Sequence, residues 1–269
     1  VPVTQTPRIG AAKNAGTITN NNNGTFTVPF TMNIQNLGNV DLYDVQVTDV
    51  LSAEFGTYQA TAATVDAAGE YTVSNISLTD NTPGTDLAIN TGFTGTAPNT
   101  NLLVVSVANA GLALEVNQSV TISFDLRFYP NPATATVAGN NLTFQNQVTA
   151  LGDAPDAGGD GNGTQDNGTN DTSDSGTNPD TDNDRIPNEA GENDPTDVVI
   201  TMAPVIGIAK QAGTVVDNNN GTFTVPFTLN IRNYGNVDAH DVQILENLTT
   251  EFGTYETTTA AVNAAGEYT

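Results

Sequence analysis

The sequence has no cysteine and no tryptophan, and only 6 of its 269 residues are Lys or Arg. Without cysteine the chain can form no disulfide and offers no thiolate to a metal ion. A secreted protein of this composition would depend for stability on its core, on oxygen-ligated metals or on other crosslinks.

Positive charge is scarce, because 30 acidic residues leave a net charge of −24. This charge repels the phosphates of nucleic acids and anionic lipid headgroups. No apolar run reaches the roughly 18 residues that span a bilayer, and no signal peptide is recognisable. We therefore expect no nucleic-acid partner and no membrane insertion. The chain starts without Met and ends inside a strand-like run, so we expect it to be part of a longer protein.

An internal repeat organises the chain. Residues 1–72 align without a gap onto residues 198–269, with 46 of 72 positions identical. The segment "NNNGTFTVPF" at Asn21 recurs at Asn218, and "EFGTY" at Glu54 recurs at Glu251. The repeat predicts a first domain at 1–150, an acidic linker at 151–197, and a second, truncated domain at 198–269.

The repeat also argues against an enzyme. The single histidine, His240, is replaced by Tyr43 in the first copy, so no His-dependent triad or metal site recurs. No other catalytic constellation was found. We expect a protein that is not an enzyme.

Apolar residues alternate with polar ones, which is typical of half-buried strands. In "FTVPFTMNI", which begins at Phe26, every second residue is apolar, and "SVTISFDLRF", which begins at Ser119, repeats the pattern. Pro29 predicts an edge strand or a bulge. Seven or more such strands with turn signals between them indicate an all-β fold of antiparallel β-sandwiches of immunoglobulin type, without the usual Cys pair or Trp.

Three motifs carry a family resemblance. They are a first strand ending in Lys ("IGAAK" and "IGIAK"), the long segment "FTMNIQNLGNVDLYDVQVTDVL", and the late strand "FQNQVTA". Together they resemble the bacterial conserved-repeat domain known as domain of unknown function eleven, over about 1–150 and 198–269. The resemblance implies tandem immunoglobulin-like domains in a very large secreted or surface protein.

The tract from Asp153 to Asp197 carries thirteen acidic residues and one Arg. Its composition alone favours a disordered, self-repelling spacer. Its spacing favours a calcium loop that resembles the Asp-rich repeat of thrombospondin type 3, because oxygen ligands alternate from Asp180 onward. Two positions depart from the pattern: Arg185 stands where Gly usually makes the turn, and Gly191 stands where a carboxylate is expected, so Glu189 or Glu192 would have to substitute. The predicted Ca²⁺ ligands are Asp180, Asp182, Asp184, the Ile186 carbonyl, Asn188, Glu189 and Glu192, with Asp156, Asp160, Asn162, Asp166, Asp171 and Asp174 upstream.

Three polar residues fall on the core faces of three predicted strands: Lys13, Asp49 and Asn146. One interpretation is a buried Lys–Asp ion pair with an Asn partner. The other is a spontaneous Lys–Asn isopeptide bond, in which apolar surroundings favour the neutral amine and the acid transfers protons. In the second copy the corresponding residues are Lys210 and Glu246.

These features predict a structural repeat unit of a long extracellular bacterial fibre or a giant cell-surface adhesin. Ca²⁺ would stiffen its joints, and isopeptide bonds would strengthen its domains. Its partners would be neighbouring repeats of the same chain and identical chains in a fibre. The alternative is an adhesion module that binds a carbohydrate or a protein through its sandwich loops.

Overall fold

The computed structural model describes residues 4–82, 84–85, 87–104, 113–155 and 168–269, and it has an all-β fold. The chain divides into two compact units, Val1–Met202 and Ala203–Thr269. Each α-helix, at Ser52–Phe55 and Thr249–Phe252, has four residues. No helix in the described ranges has the length and apolar character to cross a bilayer.

The first unit is built on one seven-stranded sheet, in the order β12-β1-β3-β7-β6-β5 with β2 paired to β3. Two three-stranded sheets, β11-β10-β4 and β13-β9-β8, accompany it. The strands are β1 Ile9–Ala15, β2 Thr19–Asn20, β3 Phe26–Asn36, β4 Tyr43–Asp49, β5 Thr57–Tyr58, β6 Glu70–Asp80, β7 Ser119–Tyr129, β8 Thr136–Ala138, β9 Asn141–Asn146, β10 Val148–Asp153, β11 Gly168–Thr172, β12 Asp174–Ser175 and β13 Thr196–Thr201.

Strands β3 and β7 form the centre of the core, and the predicted alternation is confirmed in both. Every second residue of each strand is buried, from Phe26 to Ile34 and from Val120 to Phe128. The two strands pair antiparallel, with Phe30 opposite Phe124. Phe128 contacts the rings of Phe55 and Phe144 at centroid distances of 5.0 and 5.3 Å. The apolar face of the large sheet is thereby covered by side chains from other elements.

Pro29 lies in a central strand, so the alternative of an edge strand was wrong. The alternative of a bulge is supported, because Ala15 stands opposite Phe30 and Thr19 opposite Thr27, which leaves one extra residue between β1 and β2 beside Pro29. The Pro29 carbonyl accepts a hydrogen bond from the Gly16 amide at 2.8 Å, where the chain bends between β1 and β2. In an antiparallel strand the N and C=O of one residue face the same neighbour. The missing N–H of Pro29 therefore faces this bend, and the ladder to β7 is not interrupted.

The acidic tract adds three strands to the first unit. Strand β11 pairs with β10, β12 pairs parallel with β1, and β13 pairs with β9. Residues 168–201 therefore belong to the first unit by their contacts, and the boundary between units falls after Met202. The sequence had placed domain boundaries after residues 150 and 197.

The segment "EFGTY" lies against a second repeated segment, "AAGEYT", which begins at Ala67 in the first copy and at Ala264 in the second. Gly56 has φ +93°, and a Cβ at this position would lie 2.1 Å from the carbonyl oxygen of Gly69. Gly253 and Gly266 reproduce the arrangement, also at 2.1 Å. Glycine is required at Gly56 and Gly253 because both the left-handed conformation and the close approach exclude a side chain.

The second unit repeats the local structure of the first. Strand β14 (Ile206–Ala212) pairs with β17 (Phe227–Asn233), β15 (Val216–Asp217) with β16 (Phe223–Thr224), and β18 (Thr254–Tyr255) with β19 (Glu267–Tyr268). Phe227 is 38% exposed, whereas its counterpart Phe30 is fully buried. Residues 73–153 of the first copy, which supply β7, β9 and β10, have no aligned counterpart in 203–269.

We expect Phe128→Ala to destabilise the first unit by about 3–5 kcal/mol, because it removes a fully buried ring and leaves a cavity. Urea unfolding of the full chain, followed by far-UV circular dichroism, measures the change. The control is Val137→Ala, since Val137 is 54% exposed and its truncation leaves no cavity. Equal unfolding midpoints for the two variants would contradict the assignment of the core.

Candidate functional site

The amine of Lys13 is buried at the centre of the first unit. Lys13 lies in β1 opposite Met32 of β3 and is fully excluded from solvent. Its Nζ lies 4.3 Å from the ring centroid of Phe30 and 5.4 Å from that of Phe124. Burial lowers the pKa of the Lys13 amine, and the charge of Asp49 opposes part of that shift. A lowered pKa raises the fraction of neutral amine, which is the nucleophilic form.

Two polar side chains from other sheets meet this amine. Asp49 is the last residue of β4 and Asn146 is the last residue of β9, and both are buried. The Lys13 amine donates to Asp49 Oδ2 and to Asn146 Oδ1. The Asn146 amide nitrogen in turn donates to Asp49 Oδ1 at 2.9 Å. The structure thus brings together the three residues that strand parity had placed on the core faces.

The arrangement is suited to amide transfer. Lys13 Nζ faces the carboxamide of Asn146, and the two oxygens of Asp49 contact the nucleophile and the leaving nitrogen. Asp49 can accept a proton from the amine through Oδ2 and return one to the amide nitrogen through Oδ1. In such a transfer, a new C–N bond between Lys13 Nζ and Asn146 Cγ would replace the Cγ–Nδ2 bond, and one ammonia would be released.

Two hydrogen bonds to the main-chain carbonyl of Lys13 hold β1 in place at this residue. The Lys13 carbonyl accepts hydrogen bonds from the Gly176 amide at 2.8 Å and from Thr196 Oγ1 at 2.7 Å. Thr196 also stands opposite Asn146 in the β13–β9 ladder. Sequence reasoning missed both residues. The only signal for Thr196 is its place at the start of the alternating run "TDVVIT".

The second unit contains a lysine and an acid that correspond to Lys13 and Asp49. Lys210 Nζ donates to Glu246 Oε2 at 2.6 Å and lies 4.4 Å from the ring centroid of Phe227. The side chains are 34% and 41% exposed, so this pair is much less desolvated than Lys13 and Asp49. In the described residues of the second unit, no amide side chain is hydrogen-bonded to Lys210.

The second group of predicted residues forms a turn between β12 and β13. Asp180 Oδ1 and Asp182 Oδ1 both accept from the Asp184 amide, at 3.2 and 3.1 Å. Arg185, where calcium loops usually have Gly, has φ +71° and so adopts the left-handed conformation that this position needs. Its guanidinium donates to the carbonyls of Leu37 and Gly38, at 2.9 and 3.1 Å. The charge of Arg185 is therefore directed to backbone carbonyls of another segment.

Carboxylates of this turn form two groups whose oxygens lie within 4.8 Å of one another. One group is Asp180, Asp182 and Glu192, and the other is Asp182, Asp184 and Glu189. Glu189 and Glu192 are the two alternatives that the sequence offered for the carboxylate missing at Gly191. Both groups consist of hard oxygen donors, which suit Ca²⁺. Of the other predicted ligands here, Ile186 and Asn188 are exposed.

Five carboxylates of the tract are almost fully buried: Asp153, Asp171, Asp174, Asp180 and Glu192. Burial raises the pKa of Asp171 to about 8 and that of Asp174 to about 7, and neighbouring carboxylates add to both shifts. Repulsion by Asp184 raises the pKa of Glu189. Asp194, which raises the pKa of Asp174 by its charge, was not among the predicted ligands. A divalent cation would offset the repulsion within this cluster.

Asp171 lies in β11, which pairs with β10, and Asp174 lies in β12, which pairs with β1. The Ala11 amide donates to Asp171 Oδ2 at 2.7 Å, and Asp174 stands opposite Ala12 in the β12–β1 ladder. The remaining predicted ligands, Asp156, Asp160, Asn162 and Asp166, lie outside the described residues.

No family model, curated protein or solved structure matches this chain. The family resemblance carried by the three motifs therefore remains a prediction.

We expect Asp182→Asn to weaken Ca²⁺ binding by at least about tenfold, because this carboxylate belongs to both groups. Isothermal titration calorimetry on metal-free protein measures the affinity. The control is Asp66→Asn, which removes an equal charge at an exposed position outside the tract. Equal affinities in the two variants would argue against binding at these groups.

Proposed function

We propose that this chain is a structural repeat of an extracellular bacterial fibre or surface adhesin, and that Lys13 and Asn146 join in an isopeptide bond. The observation that carries the proposal is the buried contact of Lys13, Asp49 and Asn146, in which one carboxylate contacts both the nucleophile and the leaving nitrogen. A plain ion pair would also bury Lys13 and Asp49. It would give no reason for an Asn carboxamide whose oxygen meets the amine and whose nitrogen meets the acid.

The bond would join two sheets of the first unit. Lys13 lies in β1 of the large sheet, and Asn146 lies in β9 of a three-stranded sheet. Strand β13, through which the chain passes on to the second unit, pairs with β9 over six residues. A pulling force that enters at β1 and leaves through β13 would cross the bond, and residues 14–145 would not be extended.

A load-bearing role is consistent with the composition. The chain has no disulfide to carry force, because it has no cysteine. A close repeat of at least 72 residues favours a tandem array of similar, immunoglobulin-like sandwiches. The carboxylate groups in the turn between β12 and β13 favour Ca²⁺ as a second source of stiffness beside the covalent bond.

Intact-mass spectrometry of the full chain tests the crosslink. We expect the wild-type mass to be lower than the sequence mass by one ammonia, and peptide mapping to show a branched peptide joining Lys13 to Asn146. Asp49→Ala should restore the full mass, because no carboxyl remains to transfer the proton.

The matched control is a pair of lysine variants. Lys13→Arg should restore the full mass, whereas Lys210→Arg should still lose one ammonia, since Lys210 has an acid partner but no amide partner among the described residues. A wild-type mass equal to the sequence mass would reduce the cluster to a buried polar network. If the Lys13→Arg variant still lost ammonia, a residue other than Lys13 would be the one that reacts.

A further inference from the structure

The acidic tract pairs with both strands that carry the reacting side chains. In the β12–β1 ladder Ser175 stands opposite Lys13, and in the β13–β9 ladder Thr196 stands opposite Asn146. The Lys13 carbonyl receives its hydrogen bonds from Gly176, just after β12, and from Thr196 in β13. The position of Lys13 relative to Asn146 therefore depends on the tract lying against β1 and β9.

The same part of the tract buries carboxylate oxygens without a partner. Within the described ranges, neither oxygen of Asp174 accepts a hydrogen bond, and Glu192 Oε2 and Asp171 Oδ1 are also unpartnered. Asp174 is 2% exposed and Glu192 is 4% exposed. The other oxygen of Glu192 accepts from the Thr181 amide at 2.7 Å, so its carboxylate is held inside the turn. Buried carboxylates without partners are costly unless they are paired or coordinate a metal.

These carboxylates are adjacent in sequence to the residues that position the reacting strands. Asp174 immediately precedes Ser175, the register partner of Lys13. Glu192 lies four residues before Thr196, the register partner of Asn146. Mutual repulsion among the carboxylates therefore opposes the closure of β12 and β13 on the reacting strands, and a cation bound among them favours it.

We propose that a divalent cation held by Asp180, Asp182 and Glu192, with the buried carboxylate of Asp174 as a neighbouring charge, promotes formation of the Lys13–Asn146 bond by holding β12 and β13 against β1 and β9. This inference rests on the proposed isopeptide bond. The cation takes no part in the bond exchange, in which the Lys13 amine and the Asn146 carboxamide give a secondary amide and ammonia. It raises the fraction of molecules in which the two groups are in contact. Because the amide is covalent, it persists after the cation is removed.

The test follows ammonia loss over time. The full chain is produced and purified in the presence of a chelator, then divided into samples with Ca²⁺ and with chelator, and the uncrosslinked fraction is measured by intact mass. We expect the reaction to be about tenfold or more faster with Ca²⁺. Adding chelator after completion should leave the mass unchanged.

Two pairs of substitutions locate the responsive site. With Asp174→Asn and Glu192→Gln combined, the ratio of the rate with Ca²⁺ to the rate with chelator should fall towards one. Asp66→Asn and Glu251→Gln combined, which make the same two kinds of substitution at exposed positions outside the tract, should retain the wild-type ratio. Calorimetry should show that the variant with Asp174→Asn and Glu192→Gln has lost one Ca²⁺ site.

The outcomes separate this inference from the proposed function. Complete crosslinking at equal rates with Ca²⁺ and chelator would overturn the cation dependence and leave the isopeptide bond in place. If the variant with Asp174→Asn and Glu192→Gln kept the wild-type ratio of the rate with Ca²⁺ to the rate with chelator, these carboxylates would not be the site that responds to Ca²⁺. Absence of ammonia loss under both conditions would overturn the bond and this inference together.

Discussion

The burial of one amino group, that of Lys13, constrains the rest of the first unit. An unpaired buried charge costs several kcal/mol, so the fold must supply partners inside an otherwise apolar core. Asp49 and Asn146 supply them from two further sheets. Their contacts with one amine fix how β4 and β9 lie over the large sheet, because a shift of one residue in either strand would turn its polar side chain outward.

The acidic tract shows how tertiary contacts override composition. A segment with so many carboxylates and few apolar residues has too little apolar surface to fold independently. Its described part is nevertheless paired with the strands of the first unit, because the open edges of β1, β9 and β10 offer backbone partners. Pairing draws Asp171, Asp174 and Glu192 into the interior. There the repulsion between their carboxylates opposes folding, and a bound cation would offset it.

The two copies separate local from tertiary effects. Equivalent sequences give the same turns, the same four-residue helix and the same contact between Gly56 and Gly69 or between Gly253 and Gly266. Lysine also meets its acid in both. The burial of the lysine differs, because in the first copy β7 extends the large sheet beside β3, and Phe144 of β9 packs against Phe128 of β7. A lysine and an acid form a fully buried pair in the first unit and a partly exposed pair in the second.

The sequence by itself determined the strands, since an apolar period of two in β3 and β7 leaves little choice of structure, and strand parity selected Lys13, Asp49 and Asn146. The spacing of acidic residues also predicted that Asp180 and Asp182 lie together with Glu189 or Glu192, and the structure places one of these glutamates in each carboxylate group. Only the tertiary structure decided that the tract closes on β1 and β9 and that Pro29 is tolerated in a central strand. Pairing between distant segments depends on which edges are left open by the other strands, and local pattern does not record this.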